Sequence, residues 1–193
     1  MLMYLRSEGL PTQGSQVLHV APEPALQRWL LSLDAIHYTS IDLDSPLAEV
    51  HADITALPFG EETFDLVLCS HVLEHVPDDR AAMLELRRVV RPGERVIVQV
   101  PPSALAETFE DASVTSPAER ERLFGQYDHV RICGADYGQR LEEAGFAVES
   151  VDYVAQLDPA TQQRHGLWTG EPFYVCTGSA GARSTCFSSD RLR

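Results

Sequence analysis

The sequence predicts an α/β fold: a doubly wound, mostly parallel seven-stranded sheet with helices on both faces and an antiparallel C-terminal strand. Three observations predict it. Short apolar runs alternate with helix-period segments along most of the chain. The run Phe64-Asp-Leu-Val-Leu-Cys69 is nearly continuous in apolar residues, as a strand covered on both faces must be. Proline and glycine fall where one period gives way to the next, as in Arg91-Pro-Gly93.

The elements follow in order. Val17-Leu-His-Val20 reads as a short buried strand, broken by Ala21-Pro-Glu-Pro24. Residues 25–33 space apolar groups as a helix does. Residues 37–41 are rich in β-formers and end at Asp42, and 48–52 form a short third strand. The strand at 64–69 is the fourth. Residues 78–90 place Ala82, Leu84, Leu86, Val89 and Val90 on a helix that Pro92 and Gly93 terminate. Arg95 to Val100 is the fifth strand, stopped by Pro101-Pro102. A helix over 136–144 closes at Gly145, and residues 146–154 and 172–177 then pair as a hairpin. Residues 101–131 are polar and fit neither period; they read as a loop and helix over one sheet edge. Trp29 shares a helical face with Leu26 and Leu30, and Trp168 is expected to cap an exposed edge.

The 193 residues suffice for one domain with its own core. We expect a single unit over 1–177, with 101–131 as a lid or insert and 178–193 as a flexible tail. Twenty-nine acidic against fifteen basic side chains leave a net charge of −14, all the basic residues being Arg. That balance argues against nucleic-acid phosphate as the main partner. No run of 18 apolar residues is present, so no membrane partner is expected. The N-terminus has no apolar core of a signal peptide, and Cys69, Cys133, Cys176 and Cys186 are far apart; both point to reduced thiols in a cytoplasmic protein. The oligomeric state is left open.

In an open α/β sheet, ligands sit beyond the carboxyl ends of the strands, near the switch in strand order. The polar residues of this chain gather there: His19 to Glu23 after the first strand, Asp42 after the second, Asp53 after the third, and Ser70-His71 after the fourth. An acid about twenty residues beyond the first strand suits ribose hydroxyls. The other reading is a helix cap or turn residue for Asp42 and a turn ahead of Leu57-Pro-Phe59 for Asp53.

The stretch Asp53-Ile-Thr-Ala-Leu-Pro-Phe-Gly-Glu-Glu-Thr-Phe-Asp-Leu-Val-Leu-Cys-Ser-His-Val-Leu-Glu-His75 resembles the class I S-adenosylmethionine-dependent methyltransferases of the small-molecule type. So do Glu85-Leu-Arg-Arg-Val-Val-Arg-Pro-Gly93 and Ala144-Gly-Phe146, and the resemblance runs in order from about residue 16 to 177. The family's first loop usually carries an acid and three alternating glycines. Here those positions are His19, Ala21, Glu23 and Ala25, and the loop is similar to that of a branch reading His-Val-Ala-Pro-Glu. Alanine is tolerated there where φ stays negative. The resemblance implies a Rossmann-like methyltransferase fold, S-adenosyl-L-methionine as cofactor and a small-molecule methyl acceptor. It implies that Asp42 takes the ribose hydroxyls, Leu43 lines the adenine pocket, and Asp53 accepts from the adenine amino group beside Ile54. His19, Ala21 and Glu23 form the first loop, with Glu23 toward the cofactor's α-ammonium. Ser70 and His71 lie near the sulfonium.

The block Gly125-Gln-Tyr-Asp-His-Val-Arg131 is similar to one in that branch and is expected to face the acceptor. Asp128 or His129 would act as base and Arg131 would hold an acceptor carboxylate or phosphate; the other reading is an ion-paired brace for the lid. His71-Val-Leu-Glu-His75 also fits the H-x-x-E-H pattern of zinc proteases, but lacks a third-ligand helix, and no metal ligand is assigned. Two other functions compete: a cofactor-binding module or partner subunit without turnover, motivated by the altered first loop, and a nicotinamide-dependent oxidoreductase, disfavoured by the missing G-x-G-x-x-G.

Overall fold

The computed structural model describes residues 1–178. Along the chain run α1 (Leu2–Ser7), β1 (Gln16–Val20), α2 (Pro24–Leu31), β2 (His37–Asp42), β3 (Val50–His51), β4 (Phe64–Ser70), α3 (Asp79–Val89) and β5 (Val90–Gln99). There follow β6 (Phe109–Glu110), α4 (Pro117–Phe124), β7 (Arg131–Ile132), α5 (Tyr137–Glu143) and β8 (Phe146–Val151). A 3₁₀ turn (Val154–Gln156), α6 (Pro159–His165) and β9 (Phe173–Gly178) complete it.

The main sheet has seven strands in the order β3-β2-β1-β4-β5-β9-β8. The four pairings from β3 to β5 are parallel, and β9 is antiparallel to both β5 and β8. The doubly wound sheet with an antiparallel last strand is therefore present as expected. Of the expected tail, Gly178 belongs to β9, and residues 179–193, with Cys186, lie outside the described residues.

Two apolar layers cover the sheet because the side-chain period of a strand is two. Leu18, Val67, Cys69, Val96 and Val98 point to the layer of α3 and α5, among Met83, Leu86, Tyr137 and Leu141. Val17, Leu66, Leu68, Ile97 and Val175 point to the other, with Leu26 and Leu30 of α2 and Tyr4 and Leu5 of α1. Trp29 packs on this second layer with the Arg6 guanidinium 5.4 Å from its ring centroid, whereas Trp168 is exposed. Cys69, Cys133 and Cys176 are buried, unpaired thiols, and burial pushes Cys133 and Cys176 up to about 12, so none is a ready nucleophile. Among the described residues no helix is long and apolar enough to cross a membrane.

The segment expected as a lid is fastened at both ends. Its β6 pairs antiparallel with β7, and Ala135 N–H and Asp136 N–H donate to Leu105 O and Ala106 O. Asp136 in turn accepts from Thr108 N–H and its hydroxyl, at 2.8 and 2.7 Å. Between β6 and β7, α4 begins with Ser116 as N-cap: its hydroxyl oxygen accepts from Glu119 N–H at 3.3 Å and the hydroxyl donates to the Glu119 carboxylate at 2.8 Å.

Candidate active site

Strand order reverses at β1, between β2 and β4, and the crevice beyond those strand ends holds a cleft of about 710 Å³. Of the residues expected at the cofactor, Ala21, Asp42, Leu43, Asp53, Ile54 and His71 line it. The two turns flanking the reversal are strained: Ala21 has φ 49° and His71 has φ 54°, the left-handed region that favours glycine. Ala21 thus does not keep a negative φ. Ala21 N–H donates to Ile41 O and His71 N–H to Gln99 O, each at 2.8 Å, which fixes the strained turns to the sheet.

Asp42 and Asp53 share one design. Asp42 Oδ1 accepts from the backbone N–H groups of Asp44 and Ser45, both at 2.9 Å. Asp53 Oδ1 accepts from Thr55 N–H and the Thr55 hydroxyl at 2.8 and 2.7 Å, and these bonds hold its carboxyl below the usual carboxylate range. In each the local turn uses one carboxylate oxygen. The other, Oδ2, has no hydrogen bond among the described residues. Each of these two carboxylates thus leaves one oxygen open to a hydroxyl or amino donor, with the apolar Leu43, Ile54 and Val72 beside them in the cleft.

His19 departs from expectation. It is fully buried and both ring nitrogens are used, Nδ1 with the Tyr38 hydroxyl at 3.0 Å and Nε2 with Glu23 Oε2 at 2.7 Å. It positions Glu23 and has no nitrogen left for a ligand. Burial alone would raise the Glu23 carboxyl; the hydrogen bond and charge of His19 outweigh it and leave it lowered. Ser70 is buried at the end of β4, its hydroxyl 3.4 Å from Gln99 Oε1. Neither His19, Glu23 nor Ser70 lines the cleft wall.

Sequence reasoning missed several residues of the cleft, among them Arg120 of α4 and Val76, Pro77 and Asp78 ahead of α3. No periodicity marks Arg120, which α4 brings from a distant part of the chain. The H-x-x-E-H stretch is not helical: His75 N–H bonds Val72 O in a turn, so the zinc-protease arrangement does not form.

A second cavity of about 370 Å³ lies under α4, lined by Glu74, Phe124, His129 and Cys133 among others. His75 and Asp128 line the larger cleft, so Glu74-His75 and Asp128-His129 each contribute one side chain to either cavity and form the partition between them. Val130 N–H donates to Glu74 O at 3.0 Å and pins the two dipeptides together.

Arg131 also departs from expectation as an acceptor anchor. It is 2% exposed, and its guanidinium donates to Leu73 O and Val76 O at 2.5 Å, Pro77 O at 3.0 Å and Glu110 Oε2 at 3.0 Å. Asp79, itself buried, lies 3.6 Å from it and binds Arg140 at 2.9 Å and the Tyr137 hydroxyl at 2.9 Å. Arg131 is the brace that ties β7 to the turn ahead of α3, and its donors are not free for an acceptor.

The seven-stranded sheet order, with its reversal at β1 and antiparallel last strand, is the fold of solved methyltransferase structures. Residues 10–98 match the family described as "Methyltransferase domain". Over those residues the chain is similar to the S-adenosylmethionine-dependent methyltransferases, a family whose cofactor is S-adenosyl-L-methionine. It is 30% identical over 102 residues to a demethylmenaquinone methyltransferase of Clavibacter sepedonicus, covering 46% of this chain and 42% of that protein. It is 30% identical over 118 residues to a 27-O-demethylrifamycin SV methyltransferase of Amycolatopsis mediterranei, covering 60% and 41%. The chain thus spans about two fifths of the length of these relatives. Among solved structures, an S-adenosylmethionine-dependent methyltransferase from Mesorhizobium loti superposes with a TM-score of 0.64 at 17% identity, over 90% of this chain and 94% of that one. The [4+2]-cyclase SpnF gives 0.63 at 16% identity, over 93% and 81%. At those identities the likeness is one of fold.

Proposed function

We propose that this chain transfers the methyl group of S-adenosyl-L-methionine to a small-molecule acceptor. The reading rests on one observation above the others: at the ends of β2 and β3, two carboxylates with one unengaged oxygen each open on the same cleft. Asp42 would hold the ribose hydroxyls and Asp53 the adenine amino group, with Leu43 and Ile54 against the ring. Glu23, oriented by His19, would take the α-ammonium, and the strained turns at Ala21 and His71 bring backbone toward the methionyl part. When bound, the cofactor supplies a methyl carbon made electrophilic by its sulfonium. The protein's work is alignment and exclusion of water. The segment 101–131 serves as the lid: α4 gives Arg120 to the cleft and Phe124 to the second cavity, where the acceptor would sit. A proton released by the acceptor would pass to Asp128 on the partition. The demethylmenaquinone and 27-O-demethylrifamycin SV named for its relatives support an acceptor of small-molecule size.

Calorimetric titration with S-adenosylhomocysteine tests the site. Asp42→Asn keeps an acceptor for the Asp44 and Ser45 N–H groups but removes the charge. It is expected to weaken binding about 10–100-fold, the worth of a charge-assisted hydrogen-bond pair. Unchanged affinity would place the nucleoside elsewhere. Labelled methyl transfer to a panel of demethylated quinones and hydroxylated aromatics then separates turnover from mere binding.

A further inference from the structure

Three metal-type ligands come together on the partition between the cavities. Among the described residues, Glu74, His75 and His129 each place one ligand atom within 4.8 Å of the other two. Glu74 is 1% exposed; its Oε1 lies 3.4 Å from His71 Nδ1, and its Oε2 is buried with no hydrogen-bond partner among the described residues. A buried carboxylate oxygen without a partner is costly unless something compensates it.

The histidines are oriented for one compensation in particular. His129 Nδ1 lies 3.3 Å from the Phe124 carbonyl, which can only accept, so Nδ1 carries the proton and Nε2 keeps its lone pair. His75 Nδ1 lies 3.3 Å from Asp128 Oδ2, which assigns the same tautomer. Nδ1–H held by a carbonyl or carboxylate is how metal-ligating histidines are ordinarily fixed. The two rings meet edge to face, centroids 4.6 Å apart.

We propose that Glu74, His75 and His129 bind one divalent transition-metal cation of the zinc type, with Asp128 as the group that orients His75. Two imidazoles and one carboxylate favour Zn²⁺, Fe²⁺ or Co²⁺ over Mg²⁺ or Ca²⁺, which want more oxygen ligands. The Arg131 guanidinium, which also lines the second cavity, is already paired with Glu110 and Asp79. Three protein ligands leave coordination positions open. On the methyl-transfer reading, on which this last step rests, an oxygen of the acceptor fills one of them. The acceptor class is then a hydroxyl- or carboxylate-bearing small molecule.

The test is calorimetric titration of ZnCl₂ into the full chain after chelator dialysis, with Co²⁺ absorption as a report on ligand geometry. One saturable site per chain is expected. His75→Ala, His129→Ala and the isosteric Glu74→Gln should each weaken it at least tenfold, and Asp128→Asn about 10–100-fold. His37→Ala, at the exposed start of β2, should leave it unchanged. Thermal melting checks that each variant folds, and Glu74→Gln carries the test if a histidine variant does not. Absence of saturable binding, or binding that Glu74→Gln and the folded histidine variants retain, overturns the site. The methyl-transfer reading fails separately: Asp42→Asn should lose S-adenosylhomocysteine while keeping Zn²⁺. Zinc binding without nucleoside binding would leave the cation site standing and remove only its acceptor.

Discussion

Arg131 shows how one residue type serves two roles that sequence cannot separate. A guanidinium after a polar segment suits an anion and suits a brace equally well. Its burial and its three carbonyl partners decide for the brace. Arg131→Met should destabilise the chain by about 3–5 kcal/mol, because the carbonyls of Leu73, Val76 and Pro77 lose their donor and buried Asp79 is left with Arg140 as its one counter-charge among the described residues. Urea unfolding measures this; normal stability with a raised acceptor KM would instead restore the anchoring role. That Asp42 and Asp53 fall at strand ends on one cleft was legible, because the apolar runs before them fix where the strands stop. His19 was not, because a histidine at such an end reads alike whether it meets a ligand or only a neighbouring carboxylate. The Glu23–His19 pair carries a pH signature. The Glu23 carboxyl is lowered in the folded chain, so its contribution is present above the unfolded value and lost as pH falls through the folded one. The stability deficit of Glu23→Gln in urea should therefore be largest near neutral pH and shrink in acid. A deficit constant with pH would show that the pair contributes only packing.

At the scale of elements, strong periodicity or apolar continuity made the sheet strands, α2, α3 and α5 readable within a few residues of their bounds. The elements that escaped have no such signal. β6 and β7 are two residues each, and α6, though marked by Asp158, Pro159 and Gly166, buries no residue and so has no apolar stripe to announce it. α1 is six residues long and owes its place to Tyr4 and Leu5 covering the sheet. The β6–β7 strap depends on a close approach that only glycine permits. A Cβ on Gly134 would stand 2.6 Å from Thr108 N and closer still to the Glu107 carbonyl carbon. Both are backbone atoms and cannot swing aside. Gly134→Ala should cost about 1–3 kcal/mol, as overpacking does, and loosen residues 105–110. Hydrogen exchange should show faster exchange there than in β4 or β5; uniform exchange would mean that the strap is no separate unit.

At the scale of the whole molecule, the doubly wound order puts ligand groups from four separate strand ends into one crevice, so occupancy of the crevice should stabilise the entire fold. A ligand that binds only the folded chain adds RT ln(1 + [L]/Kd), about 2.7 kcal/mol at a hundred times Kd. For a domain of this length each kcal/mol raises Tm by about 2–4 °C, so saturating S-adenosylhomocysteine should raise it by about 5–11 °C. Asp42→Asn separates this linkage from nonspecific binding. Its side-chain carbonyl can still accept from the Asp44 and Ser45 N–H groups, so its unliganded Tm should stay close to that of the parent. At the same ligand concentration, a 10–100-fold weaker Kd leaves only about 0.4–1.4 kcal/mol of stabilisation, half the parent's shift or less. Equal shifts in the two proteins would show that the nucleoside stabilises the chain from somewhere other than the strand ends. The carboxylates at β2 and β3 would then be turn-formers and nothing more.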